Sequence, residues 1–223
     1  EKEFYKKYDW EVDYVGNPVM DAVKAHKVDS TFKTKWEFSD DKPIVALLPG
    51  SRKQELKSML PVMHQVVKKF PNYQFGVAAI HDMDKAVYAR IANEPNVTLV
   101  MEDTYNLLAN ATSAVVTSGT ATLETALWNV PQVVPYRTSK VSFVIAKSLI
   151  KVNYISLVNL IMNKEVVKEL IQNEMTSKNI SKELLEITED TKRSEILEDY
   201  KVLHTIIGEE NASEKAAKLM VSY

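Results

Sequence analysis

The sequence contains no cysteine, few glycines and little net charge, and each shortage narrows the range of functions. Without cysteine among its 223 residues, it has neither a disulfide framework nor a thiolate metal site. A formal net charge of −2 gives no indication of a nucleic-acid partner. The five glycines form neither the Gly-x-Gly-x-x-Gly of a dinucleotide-binding loop nor a Gly-Lys-Ser/Thr phosphate loop. We therefore expect no dinucleotide and no P-loop nucleotide hydrolysis, and we assign no cofactor.

Candidate metal ligands are equally sparse. The four histidines lack the spacing of a metal site, and His64 falls near the apolar face of a predicted helix, where packing is the expected role. Asp82-Met83-Asp84 imitates a metal-binding Asp-x-Asp pattern, but acids at a predicted helix start also favour the helix dipole. The sequence therefore predicts no metal site.

Strand and helix patterns alternate between residues 43 and 136. Apolar runs without polar alternation, such as PIVALLPG, are typical of strands buried on both faces of a parallel sheet. A helix is predicted from Glu55 to Phe70, with apolar residues along one face. The order indicates an α/β fold, a Rossmann-like doubly wound parallel sheet. Further predicted strands are YQFGVAAI, NVTLVM, SAVVT and PQVVPY, and the helices between them are DMDKAVYARIAN, TYNLLANA and TATLETALWN.

The remaining segments give weaker signals. The stretch Val12 to Pro18 (VDYVGNP) predicts a short strand ended by a turn. The apolar stretch from Val141 to Met162 is long enough to span a membrane, but central lysines are costly in hydrocarbon. We expect a buried helix there, followed by an apolar loop. From Asn163 onward the sequence predicts helices and no strand.

Two domains of unequal size follow from this pattern. We predict a ligand-binding domain over residues 1–175 and closing carboxyl-terminal helices over residues 176–223. The latter either pack against this domain or cross to another. Since the sequence begins Glu1-Lys2-Glu3 without an initiator methionine or a signal peptide, we expect it to be part of a longer protein.

Two loops are marked as candidate phosphate sites, each placed after a predicted strand and before a helix. In Pro49-Gly50-Ser51-Arg52, glycine permits a tight turn and Arg52 carries a guanidinium suited to phosphate. In the stretch Thr117 to Leu127 (TSGTATLETAL), Gly119 permits close approach and the Thr120 amide faces a ligand. Each loop alone can equally be a capped helix start, but two in one sheet favour a nucleotide-diphosphate site.

Glu124 lies four residues after Thr120 and therefore on the same helix face, one turn further along. A carboxylate there can accept hydrogen bonds from both ribose hydroxyls while the amides hold a diphosphate.

The motifs YVGNP, LLPGSRKQEL, SGTATLETAL, PQVVPYR and NYISLVNLIMNKEVVKELIQ occur in this order. In order and spacing they resemble the lipid-A-disaccharide synthase family, bacterial glycosyltransferases of lipid A and lipopolysaccharide synthesis. The resemblance runs from about residue 3 to residue 173. It implies the carboxyl-terminal half of a glycosyltransferase-B fold. It also implies transfer of 2,3-diacylglucosamine from its UDP derivative to 2,3-diacylglucosamine 1-phosphate, with a β-1,6-linked disaccharide phosphate and UDP as products.

The resemblance also implies roles for single residues. Ser51 and Arg52 contact the diphosphate, Gly119 and Thr120 offer it amides, and Glu124 binds the ribose. Asn159 lines the donor pocket and Glu165 faces donor hydroxyls, although Glu165 can equally be a helix-capping acid. The general base belongs to the other half of such an enzyme, so we assign no catalytic residue.

The same resemblance implies a cytoplasmic protein peripheral to the inner membrane, with the two acylated sugars as substrates, and it allows a homodimer. One position departs from the family, because Asn17 stands where Gly-His-Pro is common, and asparagine cannot titrate near neutrality. Two alternatives stay open. One is another UDP-sugar enzyme of this fold, an epimerase or an N-acetylglucosamine transferase. The other is a non-catalytic nucleotide-binding or dimerising module.

Overall fold

A computed structural model of the protein describes residues 5–138, 153–208 and 211–222. The described strands form a single sheet in which all neighbours run parallel. They are β1 (Ile44–Leu48), β2 (Gln74–Ala79), β3 (Val97–Met101), β4 (Ser113–Val116), β5 (Gln132–Tyr136) and β6 (Lys168–Ile171). The spatial order is β3-β2-β1-β4-β5-β6. The chain therefore enters at the centre, builds to one edge, and then returns to build the other.

The helices cover both faces and the end of the sheet. They are α1 (Pro18–Ala25), α2 (Phe32–Lys35), α3 (Lys53–Val67), α4 (Ala89–Ala92), α5 (Thr104–Asn110), α6 (Thr120–Leu127), α7 (Leu157–Met162), α8 (Ser177–Glu186), α9 (Asp190–Ile207) and α10 (Ala212–Ser222).

The central strand β1 shows why this sequence forms a doubly wound sheet. All five of its residues are buried, and alternate side chains enter different apolar clusters. Val45 and Leu47 join the cluster that contains the buried face of α3. The other side chains of β1 join a cluster with Leu107 and Leu108 of α5. Because both faces of the strand need apolar cover, helices must pack on both sides, which confirms the predicted fold class.

Helix α3 follows its prediction closely. The six apolar side chains expected on one face are all buried; they are Leu56, Met59, Leu60, Met63, Val66 and Val67. His64 on the same helix is partly buried, and its Nε2 lies 2.6 Å from the Glu94 carboxylate.

The predicted strand at Val12–Pro18 is wrong, because the structure has an irregular segment leading into α1. The Asn17 side chain caps this helix by accepting a hydrogen bond from the Val19 amide at 3.0 Å, and Pro18 occupies the first helical position. Asparagine followed by proline is a favourable helix start. Asn17 therefore has a structural role that needs no titrating group.

The expectation of no strand after Asn163 is also wrong, since β6 pairs with β5. The Lys and Glu content of the surrounding segment hid the strand. Glu169 is 7% exposed, so a charged residue occupies an inward position of an edge strand. Composition gives no sign of such a position, because buried acids are rare.

Of two other segments, the first differs from its prediction, and the second lies largely outside the described residues. The helix predicted over residues 82–93 reduces to a 3₁₀ turn at Lys85–Val87 and the single turn of α4. Residues 139–152, which make up much of the apolar stretch from Val141, lie outside the described residues, and the described part contributes α7. Within the described ranges, no helix combines the length and apolarity that crossing a bilayer requires.

The carboxyl-terminal helices pack onto the sheet domain. Helix α8 contacts α3 and β5, α9 contacts α7 and α6, and α10 contacts α1. The carboxylate of Asp21 on α1 accepts hydrogen bonds from the amides of Asn211, Ala212 and Ser213 at 2.6, 3.2 and 3.0 Å. These contacts join the first and last described helices.

Candidate functional site

The candidate site is a cavity of about 400 Å³ at the carboxyl ends of β1 and β4. These strands are neighbours, and the chain leaves them toward opposite edges of the sheet, so the cavity lies at the topological switch point where such folds bind ligands. The Thr117 amide donates to the Leu48 carbonyl at 2.9 Å, which ties the two strand ends together. The polar lining residues are Ser51, Arg52, Glu55, Glu102, Thr104, Thr117, Ser118, Thr120 and Glu124.

The first loop, residues 49–52, binds a carboxylate that was not among the predicted site residues. Oε2 of Glu55 accepts hydrogen bonds from the Ser51 and Arg52 amides at 3.0 and 3.2 Å. Nη1 of Arg52 donates to Oε1 of the same carboxylate at 2.9 Å. Glu55 thus binds the amide and guanidinium groups that were predicted to hold a phosphate.

Gly50 makes this arrangement possible in two ways. Its φ of +101° lies in a region that side chains strongly disfavour. A Cβ at this position would lie 2.3 Å from Oε2 of Glu55 and 2.8 Å from its Cβ. The glycine therefore provides both the turn and the space for the carboxylate.

The second loop, residues 117–120, is open where the first is filled. Gly119 has a φ of +148°, and apart from its chain neighbours no atom of the described residues lies within 4 Å of the position of an added Cβ. Gly119 is the N-cap residue of α6 and, as glycine, provides no capping side chain of its own. The first amides of α6 and the positive end of its dipole therefore face an open cavity, a favourable environment for an anion.

Glu124 lines the cavity one turn into α6 and is oriented by Tyr105, whose hydroxyl donates to Oε1 of Glu124 at 2.7 Å. Burial raises the pKa of Tyr105, and the hydrogen bond to Glu124 raises it further. The tyrosine therefore stays a neutral donor. His26 and Trp128 pack against its ring, which fixes the direction of the hydrogen bond.

Glu102 adds another carboxylate to the lining. It has a φ of +51° and accepts a hydrogen bond from the His81 amide at 2.9 Å. Arg52 provides the only cationic side chain of the lining among the described residues. Within the same residues no group of three or more histidine or acidic side chains is arranged to hold a metal ion.

Asn159 and Glu165, which the resemblance assigns to the donor, are not part of the lining of this cavity. Asn159 is fully buried. Its Oδ1 accepts from the Val166 and Val167 amides at 2.8 and 3.0 Å, and its Nδ2 donates to the Val167 carbonyl at 2.8 Å. Glu165 is exposed and forms an ion pair with Lys168 at 3.2 Å.

The segment around Asn159 instead supports the second loop from behind. Glu169 accepts hydrogen bonds from the Ile155 and Ser156 amides and from Nδ2 of Asn159, at 2.9 to 3.1 Å. The Ile155 carbonyl in turn accepts from the Ser118 hydroxyl at 3.0 Å. A continuous hydrogen-bonded chain therefore runs from the edge strand β6 to the residue before Gly119.

The structure brings together five of the seven residues predicted for the site, which are Ser51, Arg52, Gly119, Thr120 and Glu124. Five further polar residues of the lining were not among the predicted site residues, and Tyr105 supports Glu124 from outside the lining; the five are Glu55, Glu102, Thr104, Thr117 and Ser118. A signal existed for Glu55, because an acid three residues after a helix N-cap commonly bonds back to the cap amide. Nothing in the sequence distinguishes Glu102 or Tyr105 from surface residues.

The model of the lipid-A-disaccharide synthetase family matches residues 1–222. The chain is 36% identical over 231 residues to the lipid-A-disaccharide synthase of Syntrophus aciditrophicus, covering 100% of this chain and 60% of that relative. It is 32% identical over 235 residues to the enzyme of the same name from Persephonella marina, covering 99% of this chain and 62% of that relative. The chain therefore spans about 60% of the length of these relatives.

Solved structures share the fold at low sequence identity. A UDP-GlcNAc 2-epimerase from Neisseria meningitidis bound to UDP-GlcNAc has a TM-score of 0.63 at 16% identity, covering 100% of this chain and 58% of that chain. S. aureus MnaA in a co-structure with UDP has a TM-score of 0.64 at 15% identity, covering 95% and 54%. WaaG, a glycosyltransferase involved in lipopolysaccharide biosynthesis, has a TM-score of 0.52 at 15% identity, covering 86% and 51%.

Proposed function

The chain belongs to the lipid-A-disaccharide synthetase family, and we propose that it forms the UDP-sugar-binding half of a lipid-A-disaccharide synthase. The observation that carries this proposal is the cavity at the switch point, where two glycine-containing loops face each other across the ends of β1 and β4. The names of relatives and structural neighbours, which include UDP and UDP-sugar complexes, support a nucleotide-sugar ligand.

The proposed reaction transfers 2,3-diacylglucosamine from its UDP donor to 2,3-diacylglucosamine 1-phosphate and releases UDP. Negative charge accumulates on the departing UDP during this reaction. The half of the enzyme that this chain forms must stabilise that charge. Amides already directed at that position supply stabilisation without reorganisation. We assign the diphosphate to the Gly119 and Thr120 amides and to Ser51 and Arg52. Glu124, held by Tyr105, accepts from the ribose hydroxyls.

The acceptor site and the general base are proposed to lie in the part of the enzyme that this chain does not include. A cytoplasmic location at the inner-membrane surface and a homodimer through residues 176–223 belong to the same proposal. Asn159 then acts on the donor indirectly, by holding the segment that supports Ser118.

Replacing Arg52 tests the leaving-group role. In the full-length enzyme we expect Arg52→Ala to slow turnover at least about a hundredfold, because one such contact contributes on the order of 2–4 kcal/mol to the barrier. Steady-state release of UDP measures the effect. Lys53→Ala is the matched control, because Lys53 directly follows Arg52, is exposed to solvent and does not line the cavity. Near-normal turnover in Arg52→Ala would contradict the assignment.

Substrate comparison separates the proposed enzyme from its alternatives. A lipid-A-disaccharide synthase forms product from UDP-2,3-diacylglucosamine and not from unacylated UDP-glucosamine. An epimerase or another N-acetylglucosamine transferase would not require the acyl chains. For this chain alone, calorimetry should show UDP binding without transfer, because half of a cleft cannot position donor and acceptor together.

A further inference from the structure

The two loops of the cavity have similar chemistry but differ in occupancy. Gly119, the N-cap residue of α6, has open space in front of it among the described residues and provides no capping side chain. In the first loop, the Glu55 carboxylate accepts from the Ser51 and Arg52 amides and pairs with the Arg52 guanidinium. One loop is thus open to an anion, and the other already holds one.

The contacts of Glu55 are those that a phosphate would make. Its two oxygens collect two amides and a guanidinium within 3.2 Å, which is a phosphate-like donor set. The glycine at position 50 leaves room for this carboxylate, because a Cβ would lie 2.3 Å from Oε2. These donors cannot serve Glu55 and a diphosphate at full strength at the same time.

We propose that Glu55 is an internal anion that occupies the first loop in the free protein and that the ligand diphosphate displaces. This rests on the proposed function, which assigns Ser51 and Arg52 to the diphosphate. The ligand first meets the open amides of the second loop, and Arg52 then transfers from Glu55 to the phosphate. The Arg52 side chain is 81% exposed and can therefore change its position. The Glu55 side chain is 23% exposed, so its carboxylate can turn toward solvent when it is displaced.

The displaced residue sets the affinity of the site. Each molecule of nucleoside diphosphate must break the contacts of Glu55 before it gains its own, so the carboxylate lowers the affinity for ligand and for released UDP alike. A reaction that ends with UDP in this cavity benefits, because weaker product binding speeds release.

Neutralising Glu55 tests the proposal in this chain, with UDP as the probe. Glu55→Gln keeps an oxygen that can accept from the loop amides but loses the charge that pairs with Arg52. We expect UDP to bind about tenfold more tightly by calorimetry. Glu102→Gln is the matched control. It removes a carboxylate from the same cavity without touching the loop, and we expect a change below about threefold.

The outcomes are distinguishable. Equal or weaker UDP binding by Glu55→Gln, with the wild type binding UDP, would overturn the inference and leave the proposed function standing. Equal tightening in both variants would also overturn it, since general repulsion by the cavity would then be the cause. A wild type that binds no UDP would refute the proposed function itself.

Discussion

At the residue scale, three acidic side chains of the cavity lining each accept hydrogen bonds from a different donor. Glu55 bonds to the first loop, Glu102 to the His81 amide and Glu124 to Tyr105. These acids line one cavity with a single arginine, yet each points to a different donor. The cavity therefore combines an open anion site at Gly119 with one carboxylate, Glu124, that is placed to accept from hydroxyl groups.

Thr117 lines the cavity and carries a buried hydroxyl group that is not hydrogen-bonded within the described part of the chain. It is 4% exposed, and its hydroxyl has no hydrogen-bond partner among the described residues. An unpaired buried hydroxyl costs about 1–3 kcal/mol. We expect Thr117→Val, which keeps the shape and removes the hydroxyl, to raise the free energy of unfolding by about 1 kcal/mol. Chemical denaturation measures this.

Ser113 supplies the control for Thr117. It lies at the other end of β4, is fully buried, has an equally unpaired hydroxyl and does not line the cavity. Thr117→Val should match the wild type in UDP affinity, as Ser113→Ala should. A loss of affinity confined to Thr117→Val would contradict the prediction and assign the hydroxyl to the ligand.

Residue types predicted the loops but not their occupancy. Gly50 and Gly119 are recognisable because glycine after an apolar strand indicates a tight turn. That Glu55 fills one loop depends on a side-chain rotamer, which a pattern of residue types does not specify. Tyr105 reaches Glu124 only because α5 and α6 flank the same strand ends, so its role depends on the tertiary fold.

At the element scale, the segment from Ile155 to α7 and the strand β6 form one hydrogen-bonded unit. Glu169 forms no ion pair within the described part of the chain, and its carboxylate accepts hydrogen bonds from Ile155, Ser156 and Asn159. Several hydrogen bonds to one carboxylate can replace a counter-charge in a dry environment. The unit holds Ser118 through the Ile155 carbonyl, so an edge strand helps to position the second loop.

Asn159 is the centre of this unit, and we expect Asn159→Ala to lower the free energy of unfolding by roughly 2–4 kcal/mol. The change leaves the Val166 and Val167 amides without the acceptor they have now. Urea titration of this chain provides the measurement. Leu160→Ala on the same helix is the control, because Leu160 is 38% exposed and should cost less than about 1 kcal/mol.

The opposite result would be equally informative. If Asn159→Ala kept wild-type stability and lost UDP affinity, Asn159 would contact the donor directly, as the family resemblance implied, and its buried side chain would not be the support of the second loop.

Helices and strands whose apolar residues follow one clear periodicity were predictable from the sequence. Those that depend on contacts with other segments of the chain were not. β1 and α3 carry apolar patterns that match their observed faces. β6 was missed because its inward residue is Glu169, whose burial depends on donors from a segment earlier in the chain. Residues 82–93 have helical composition, but only short turns form.

At the scale of the whole molecule, Asp21 links helix α1 near the start of the chain to helix α10 near its end. Its carboxylate accepts from the first amides of α10, as a side-chain cap supplied from another helix. The hydrogen bond from the Ser213 amide is the main cause that holds the pKa of Asp21 below its ordinary value, and the Ala212 and Asn211 amides add to it. Since α10 has only Ala212 buried, this cap is a principal attachment of the helix.

We expect Asp21→Asn to speed hydrogen exchange in α10 severalfold at pH 7, because the amide replaces a charged acceptor. Exchange detected by mass spectrometry resolves this helix from the sheet. Glu214→Gln, within α10 and paired with Lys218, is the control and should have a smaller effect. Equal protection of α10 in Asp21→Asn and wild type would refute the cap.

The same contact gives a pH dependence of defined sign. Because folding lowers the pKa of Asp21, its contribution is complete above the unfolded value of about 3.9 and is lost as pH falls through the folded value. Protection of α10 should therefore be constant in the neutral range and decline only in acid.

The bond from the Thr117 amide to the Leu48 carbonyl has a consequence for assembly of the protein. It joins strands that are separated by two complete strand-helix units, so neither half of the sheet contains the complete cavity on its own. Under the proposed function, bound UDP requires that β1 and β4 are paired, and by mass action it stabilises this pairing more than that of either outer strand.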